Sequence, residues 1–234
     1  MNAPVRLLIH GATGRMGRAL LRLCREEDLR FSVVAVVARH VPQEEGVPGF
    51  AVVDVGDVPE FDVAVDFSLP DGFDTVLALC LARKVPLVSG TTGLSEGQRA
   101  ALDTAGERIP LVWASNYSLG VAALHVLVAQ AAGLLHGWDC DIVESHHVHK
   151  KDAPSGTALT LGASASLAGI SPHYASIRAG DIVGEHLVQF TGMGERIELV
   201  HRASSRDIFA RGALHAARRL YGREPGRYRF EDLI

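Results

Sequence analysis

Apolar residues follow two different rhythms along this chain. In the first half, short unbroken apolar runs alternate with stretches of three-to-four spacing. Val5 to Ile9 is the first run and stops at Gly11, and Met16, Leu20, Leu23 and Cys24 follow at the spacing of one buried helix face. Phe31 to Val37 is rich in β-branched residues without polar alternation, as in a strand covered on both faces. Phe61 to Phe67, Val85 to Ser89 and Leu111 to Ala114 predict further strands, and Gly72 to Arg83 a helix. Ser95 with Gln98 predicts a helix opened by a capping box. Strands alternating with helices imply βαβ units and a doubly wound, Rossmann-like parallel sheet.

After about residue 117 the rhythm changes. Val121 to Leu135 reads as a long apolar helix, Asp141 to His149 as a strand and Ala158 to Leu167 as a helix. Glu185 to Phe190 and Glu195 to Arg202 alternate as half-exposed antiparallel strands do (Ile197 and Leu199 against Glu198 and Val200), and Ile208 to Tyr221 returns to helical spacing. The expectation is an α/β chain of two domains. Residues 1–117 form a dinucleotide-binding domain onto which 208–234 fold back, and 118–207 form the second domain.

Composition narrows the function classes. The 234 residues carry a net charge of −4 and offer no broad basic field, so nucleic acid is not an expected partner. Three separated cysteines without a CxxC pair suggest a reducing compartment. No apolar run approaches a membrane span, and the strand run at Val5 leaves no room for a signal peptide, so a cytoplasmic protein is expected.

Three stretches carry candidate chemistry. Gly11-Ala12-Thr13-Gly14-Arg15-Met16-Gly17 lies between the first strand and the first helix. Glycines there allow a tight turn, backbone approach to a pyrophosphate and close helix packing, and the helix N-terminus favours an anion. The spacing is GxxGxxG, and a ligand-free glycine turn is the plain alternative. The end of the second strand reads Ala38-Arg39-His40, with no acid to accept ribose hydroxyls, so Arg39 with Arg15 suits a 2′-phosphate. NADPH is therefore expected to be favoured, with NADH possible. Gly90-Thr91-Thr92-Gly93 and Ala114-Ser115-Asn116-Tyr117 fall at strand ends where ligands bind, though each reads equally well as a structural turn.

The third stretch runs from Glu144 to Thr157, Glu-Ser-His-His-Val-His-Lys-Lys-Asp-Ala-Pro-Ser-Gly-Thr. On a continued strand His146, Val148 and Lys150 share a face, so His146 and Lys150 converge on one ligand. Ser155-Gly156-Thr157 after a proline starts a helix with free N–H groups and two hydroxyls, which together with Lys150 suits a carboxylate. A zinc reading of the three His is disfavoured, because alternation puts neighbours on opposite faces and no Cys or HExxH partner exists, so no metal is expected.

That run resembles the signature of 4-hydroxy-tetrahydrodipicolinate (dihydrodipicolinate) reductases. The glycine loop, Asp-Phe-Ser, Ser-Gly-Thr-Thr-Gly, Ala-Ser-Asn-Tyr-Ser-Leu-Gly-Val, Arg-Ala-Gly-Asp-Ile-Val-Gly-Glu-His and His-Arg-Ala-Ser-Ser-Arg resemble the same family in the same order. The resemblance implies a Rossmann domain plus a mixed α/β substrate domain whose open sheet builds a homotetramer. It implies hydride transfer from NAD(P)H to a small dicarboxylate on the diaminopimelate route to lysine. His146 would be the proton donor and acceptor, and Lys150 a proton donor that meets the substrate. His147, Ser155, Gly156 and Thr157 would hold substrate carboxylates. Gly11, Ala12, Thr13, Gly14, Arg15, Met16, Arg39, Gly90, Thr91, Thr92, Ala114, Ser115, Asn116 and Tyr117 would hold the cofactor. The chain departs from many members in Ala38 and in a shortened segment near Ala168 to Ser176. One rival is a phosphorylating semialdehyde dehydrogenase with Cys140 as nucleophile. The other is a nucleotide-sensing module that has no use for the His/Lys cluster.

Overall fold

In the computed structural model, residues 3–27 and 30–234 are described. The chain divides into two compact units, residues 1–117 with 209–234, and residues 118–208.

The first unit opens with β1 (Val5–His10), α1 (Arg15–Glu26), β2 (Phe31–Ala38) and β3 (Gly49–Ala51), then a 3₁₀ turn over Val52–Asp57. β4 (Val63–Asp66), α2 (Pro70–Arg83), β5 (Leu87–Ser89), α3 (Glu96–Gly106) and β6 (Pro110–Trp113) follow. These strands lie in one parallel sheet whose central members are buried along their whole length, which is why their sequences are apolar runs. Leu8, Ala64, Phe73, Val76, Leu87, Leu102 and Leu111 pack on one face. The predicted capping box is present: the Ser95 hydroxyl accepts from Gln98 N, and Gln98 Oε1 accepts from Ser95 N.

The second unit contains α4 (Leu119–Leu134), β7 (Asp139–His146), α5 (Gly156–Ser166), β8 (Pro172–Arg178), β9 (Gly184–Gly192) and β10 (Glu195–Ala203). Its strand order is β10-β9-β7-β8, antiparallel except where β8 runs parallel to β7. Leu124, Val128, Ala158 and Leu161 of the helices pack on Cys140, Ile142, Val188 and Phe190 of the sheet. By register, Ala175, Val143, Leu187 and Val200 form a row on the other face, and Val200 is 43% exposed.

The chain then enters α6 (Asp207–Leu220) and β11 (Gly226–Tyr228), and ends in a 3₁₀ turn over Phe230–Leu233. β11 pairs with β6, completing a seven-stranded sheet of order β11-β6-β5-β4-β1-β2-β3.

One local expectation is corrected. The strand expected to run to His149 ends at His146, and residues 147–150 turn, with Lys150 N donating to His147 O. The apolar–polar alternation of His147 to Lys150 imitates a strand, but the backbone is claimed by a different pairing: Ala179 N donates to His146 O and Val148 N to Gly180 O. The shared strand face inferred for His146 and Lys150 therefore does not exist. Among the described residues, no helix is long and apolar enough to cross a membrane.

Candidate functional site

In the first unit, the turn after β1 is built by its glycines. Gly11 adopts φ +79°, and a Cβ there would stand 2.5 Å from Phe67 O. A Cβ on Gly17 would stand 2.5 Å from Ala12 Cα, so the helix can approach the loop only without one. Gly11 N and Ala12 N donate to Val37 O, tying the loop to β2. Gly14 caps α1 without a side-chain bond, and the first turn of α1 holds no acid. Its leading N–H groups are left for an external anion.

Beside this loop lies a cavity of about 630 Å³, lined among others by Gly11, Thr13, Gly14, Ala38, Arg39, Val53 and Asp71. Arg39 is exposed and has no ion-pair partner among the described residues. A bare glycine turn, free helix amides and an unpaired arginine fit a phosphate-bearing dinucleotide. Arg15 and Thr92 are exposed, Ala12 is buried and Met16 half-buried.

Behind the cavity, Asp66 at the end of β4 is fully buried and accepts from His10 Nδ1 (2.8 Å), Ser89 Oγ (2.8 Å), Thr91 Oγ1 (2.8 Å) and Ser68 N (3.1 Å). Thr91 also accepts from Trp113 Nε1 through its carbonyl, so its polar groups fasten the loop. Gly90 owes its identity to packing, since a Cβ there would collide with the Phe67 ring. Tyr117 is buried, packed edge-on to Phe67 and Phe230, with its hydroxyl donating to Ser89 O at 2.8 Å. Ala114 N donates to Ser89 O, Ser115 is exposed and Asn116 half-buried.

The second unit gathers polar groups at the end of β7. Glu144 is fully buried, and both its oxygens accept from Arg178, at 2.9 and 2.7 Å. Its Oε2 accepts from His146 Nδ1, and its Oε1 from Ser155 N at 3.2 Å. Burial alone would raise the Glu144 carboxyl, yet the Arg178 guanidinium and the further hydrogen bonds hold it at about 2. An ionised carboxylate only accepts, so His146 carries a proton on Nδ1 and leaves Nε2 as its working nitrogen. Burial lowers the His146 pKa against the opposing pull of Glu144.

Ser155 is the N-cap of α5: its hydroxyl accepts from Ala158 N and meets His186 Nε2 at 3.2 Å. Burial and the neighbouring His146 push His186 down to about 4, so it is neutral at physiological pH. A Cβ at Gly156 would meet nothing within 4 Å, which leaves the first turn of α5 open, and Thr157 is half-buried. Lys150 pairs with Asp152 at 2.9 Å. His147 is half-buried, with Nδ1 unpartnered among the described residues.

His146, Ser155 and the α5 turn are thus joined through Glu144, a residue to which sequence reasoning gave no role. Arg178 and His186 were missed too, although both lie in the stretch Arg-Ala-Gly-Asp-Ile-Val-Gly-Glu-His. Cys140 is fully buried and its thiol is pushed up to about 11, which removes the nucleophile that a semialdehyde dehydrogenase needs. Among the described residues, no group of three or more His, Cys, Asp or Glu is placed to hold a metal ion.

The family described as dihydrodipicolinate reductase, N-terminus, matches residues 5–117, and its C-terminal counterpart matches residues 120–234. A 4-hydroxy-tetrahydrodipicolinate reductase of Stenotrophomonas maltophilia (strain K279a) is 66% identical, covering 99% of this chain and 98% of its own. One from Xylella fastidiosa (strain M12) is 64% identical over the whole of both chains. The dipicolinate-bound dihydrodipicolinate reductase from Paenisporosarcina sp. TG-14 shares the fold, with TM-score 0.81 at 20% identity, covering 99% of this chain and 100% of its own. The chain belongs to the dihydrodipicolinate reductase family.

Proposed function

We propose that this chain reduces 4-hydroxy-tetrahydrodipicolinate to tetrahydrodipicolinate with NAD(P)H, in the diaminopimelate route to lysine. The observation that carries the reading is the Glu144-centred cluster, which joins a histidine protonated on Nδ1 to the open, N-capped first turn of α5. Net, the ring loses water and gains a hydride and a proton. The nicotinamide, when bound, supplies the hydride. The chain's part is to hold the dicarboxylate and to deliver the proton. Gly156 and Thr157 would take one carboxylate on the open first turn of α5, with Ser155 fixing that turn from the N-cap position and His147 as a further contact. His146, having taken a second proton from solvent on Nε2, would give that proton up as negative charge develops on the conjugated ring, while Glu144 keeps Nδ1–H in place. Lys150 would stabilise that charge and share in protonation.

Gly11 to Met16, Arg39, Gly90 to Thr92 and Ala114 to Tyr117 would line the cofactor site. The unpaired Arg39 and the missing acid after β2 support NADPH as the favoured cofactor. The apolar row on the open face of the second sheet supports a homotetramer, and three free thiols support a cytoplasmic location.

The direct test mixes the protein, NADPH and substrate generated from pyruvate and aspartate semialdehyde, and follows loss of reduced-nicotinamide absorbance. His146→Ala and Lys150→Ala should each lower turnover by roughly 100-fold or more. Folded variants with undiminished activity would overturn the role assignment.

A further inference from the structure

A further histidine, His10 at the last position of β1, has no part in the chemistry above. It is fully buried, yet it lines the cavity beside Gly11, Thr13 and Gly14. Its Nδ1 donates to Asp66, whose carboxylate is saturated by four donors and held below the ordinary range, where the hydrogen bond from His10 offsets the upward push of burial. The ring is therefore fixed in orientation and tautomer, with Nε2 on the edge that diverges from Asp66. That Nε2 is buried and has no hydrogen-bond partner among the described residues. Gly72, at the start of α2, leaves room for this edge, since a Cβ there would stand 3.1 Å from His10 Cε1. A buried polar nitrogen without a partner calls for an explanation, and of the four such imidazoles among the described residues (His10, His147, His186 and His201) His10 alone lines this cavity.

We propose that His10 is a further cofactor-binding residue, whose Nε2 donates to a pyrophosphate oxygen of the bound dinucleotide. Asp66 anchors the opposite edge of the ring through Nδ1, and the proton that Nε2 donates is taken up from solvent as the anion binds. The idea rests on the reading that this unit holds a pyridine nucleotide, and it concerns the part shared by NADPH and NADH. His10 differs in this from Arg39, which would touch the 2′-phosphate alone.

Dissociation constants for NADPH, NADH and ADP-ribose, measured by calorimetry on the full chain and on His10→Ala, test it. All three should weaken by a similar factor, roughly ten- to hundredfold, the scale of a hydrogen bond to a charged group. In parallel, ¹⁵N-histidine spectra of the unaltered chain should show the His10 Nε2 resonance moving to a protonated, hydrogen-bonded position when ADP-ribose is added, which needs no variant to fold. Unchanged dissociation constants in a less thermostable His10→Ala, or an unmoved Nε2 resonance, would leave His10 a structural residue and overturn the proposal. If the unaltered chain binds none of the three ligands, the cofactor reading itself fails.

Discussion

Arg178→Met removes the guanidinium and leaves the buried Glu144 charge held only by hydrogen bonds such as those from His146 Nδ1 and Ser155 N. Glu144 is fully buried, so its electrostatics need no discount for solvent. Its carboxyl lies at about 2 against an ordinary 4.5, which corresponds to about 3 kcal/mol favouring the ionised, folded form. The Arg178 hydrogen bonds are the largest of the lowering influences. Their loss should therefore cost the second unit about 3 kcal/mol at pH 7.5, within the range for halving a buried ion pair. Trp138 lies in this unit and Trp113 in the other, so a Trp113→Phe background makes tryptophan fluorescence report the second unit during urea unfolding. Repeating Arg178→Met on Glu144→Gln isolates the pair, and there the cost should fall below about 1 kcal/mol. Equal losses in both backgrounds, or a loss under about 0.5 kcal/mol in the first, would refute the claim that the guanidinium keeps Glu144 ionised.

Three further outcomes follow from the same geometry. His186 is held at about 4 against 6.5, so its contribution of about 3 kcal/mol is complete above pH 6.5 and is lost as pH falls through 4. Melting temperatures between pH 7.5 and 4.5 should drop steeply in the unaltered chain and less in His186→Gln, and parallel curves would count against a buried neutral ring. Gly11→Ala must carry a Cβ 2.5 Å from Phe67 O at φ +79°, and should destabilise the first unit by about 2 kcal/mol or more, read as a lower thermal midpoint. Alkylation of the native protein with iodoacetamide should leave reductase activity intact, because the Cys140 thiol is buried and pushed up to about 11 and Cys24 up to about 12; rapid inactivation would return a thiolate to the mechanism.

How far the sequence carried depended on whether a residue's partner was local. The parallel strands were legible because burial on both faces leaves continuous β-branched runs such as Phe31 to Val37. Ser95 and Gln98 announced their helix because a capping box lies within four residues. β8 escaped notice because five of its seven residues are exposed and its apolar positions mark no face. β3 and β11, three residues each, are specified by their neighbours in the sheet rather than by their own pattern. His146 and the Ser155 turn were recognisable as chemistry, but the Glu144–Arg178 pair spans 34 residues and forms only once β8 lies beside β7. The strand overrun at His147 to Lys150 has the same origin, since the bond that takes the backbone elsewhere comes from Gly180.

The pairing of β11 with β6 has a consequence for how the molecule comes into being. The unit from Ser118 to Ile208 is one uninterrupted stretch, whereas the sheet begun at Val5 takes its last strand from Gly226–Tyr228. During synthesis, β6 is a bare edge and Tyr117 lacks Phe230 until residues 226–230 have been added. A chain that stops short of residues 226–228 should leave β6 as an open edge available for intermolecular pairing.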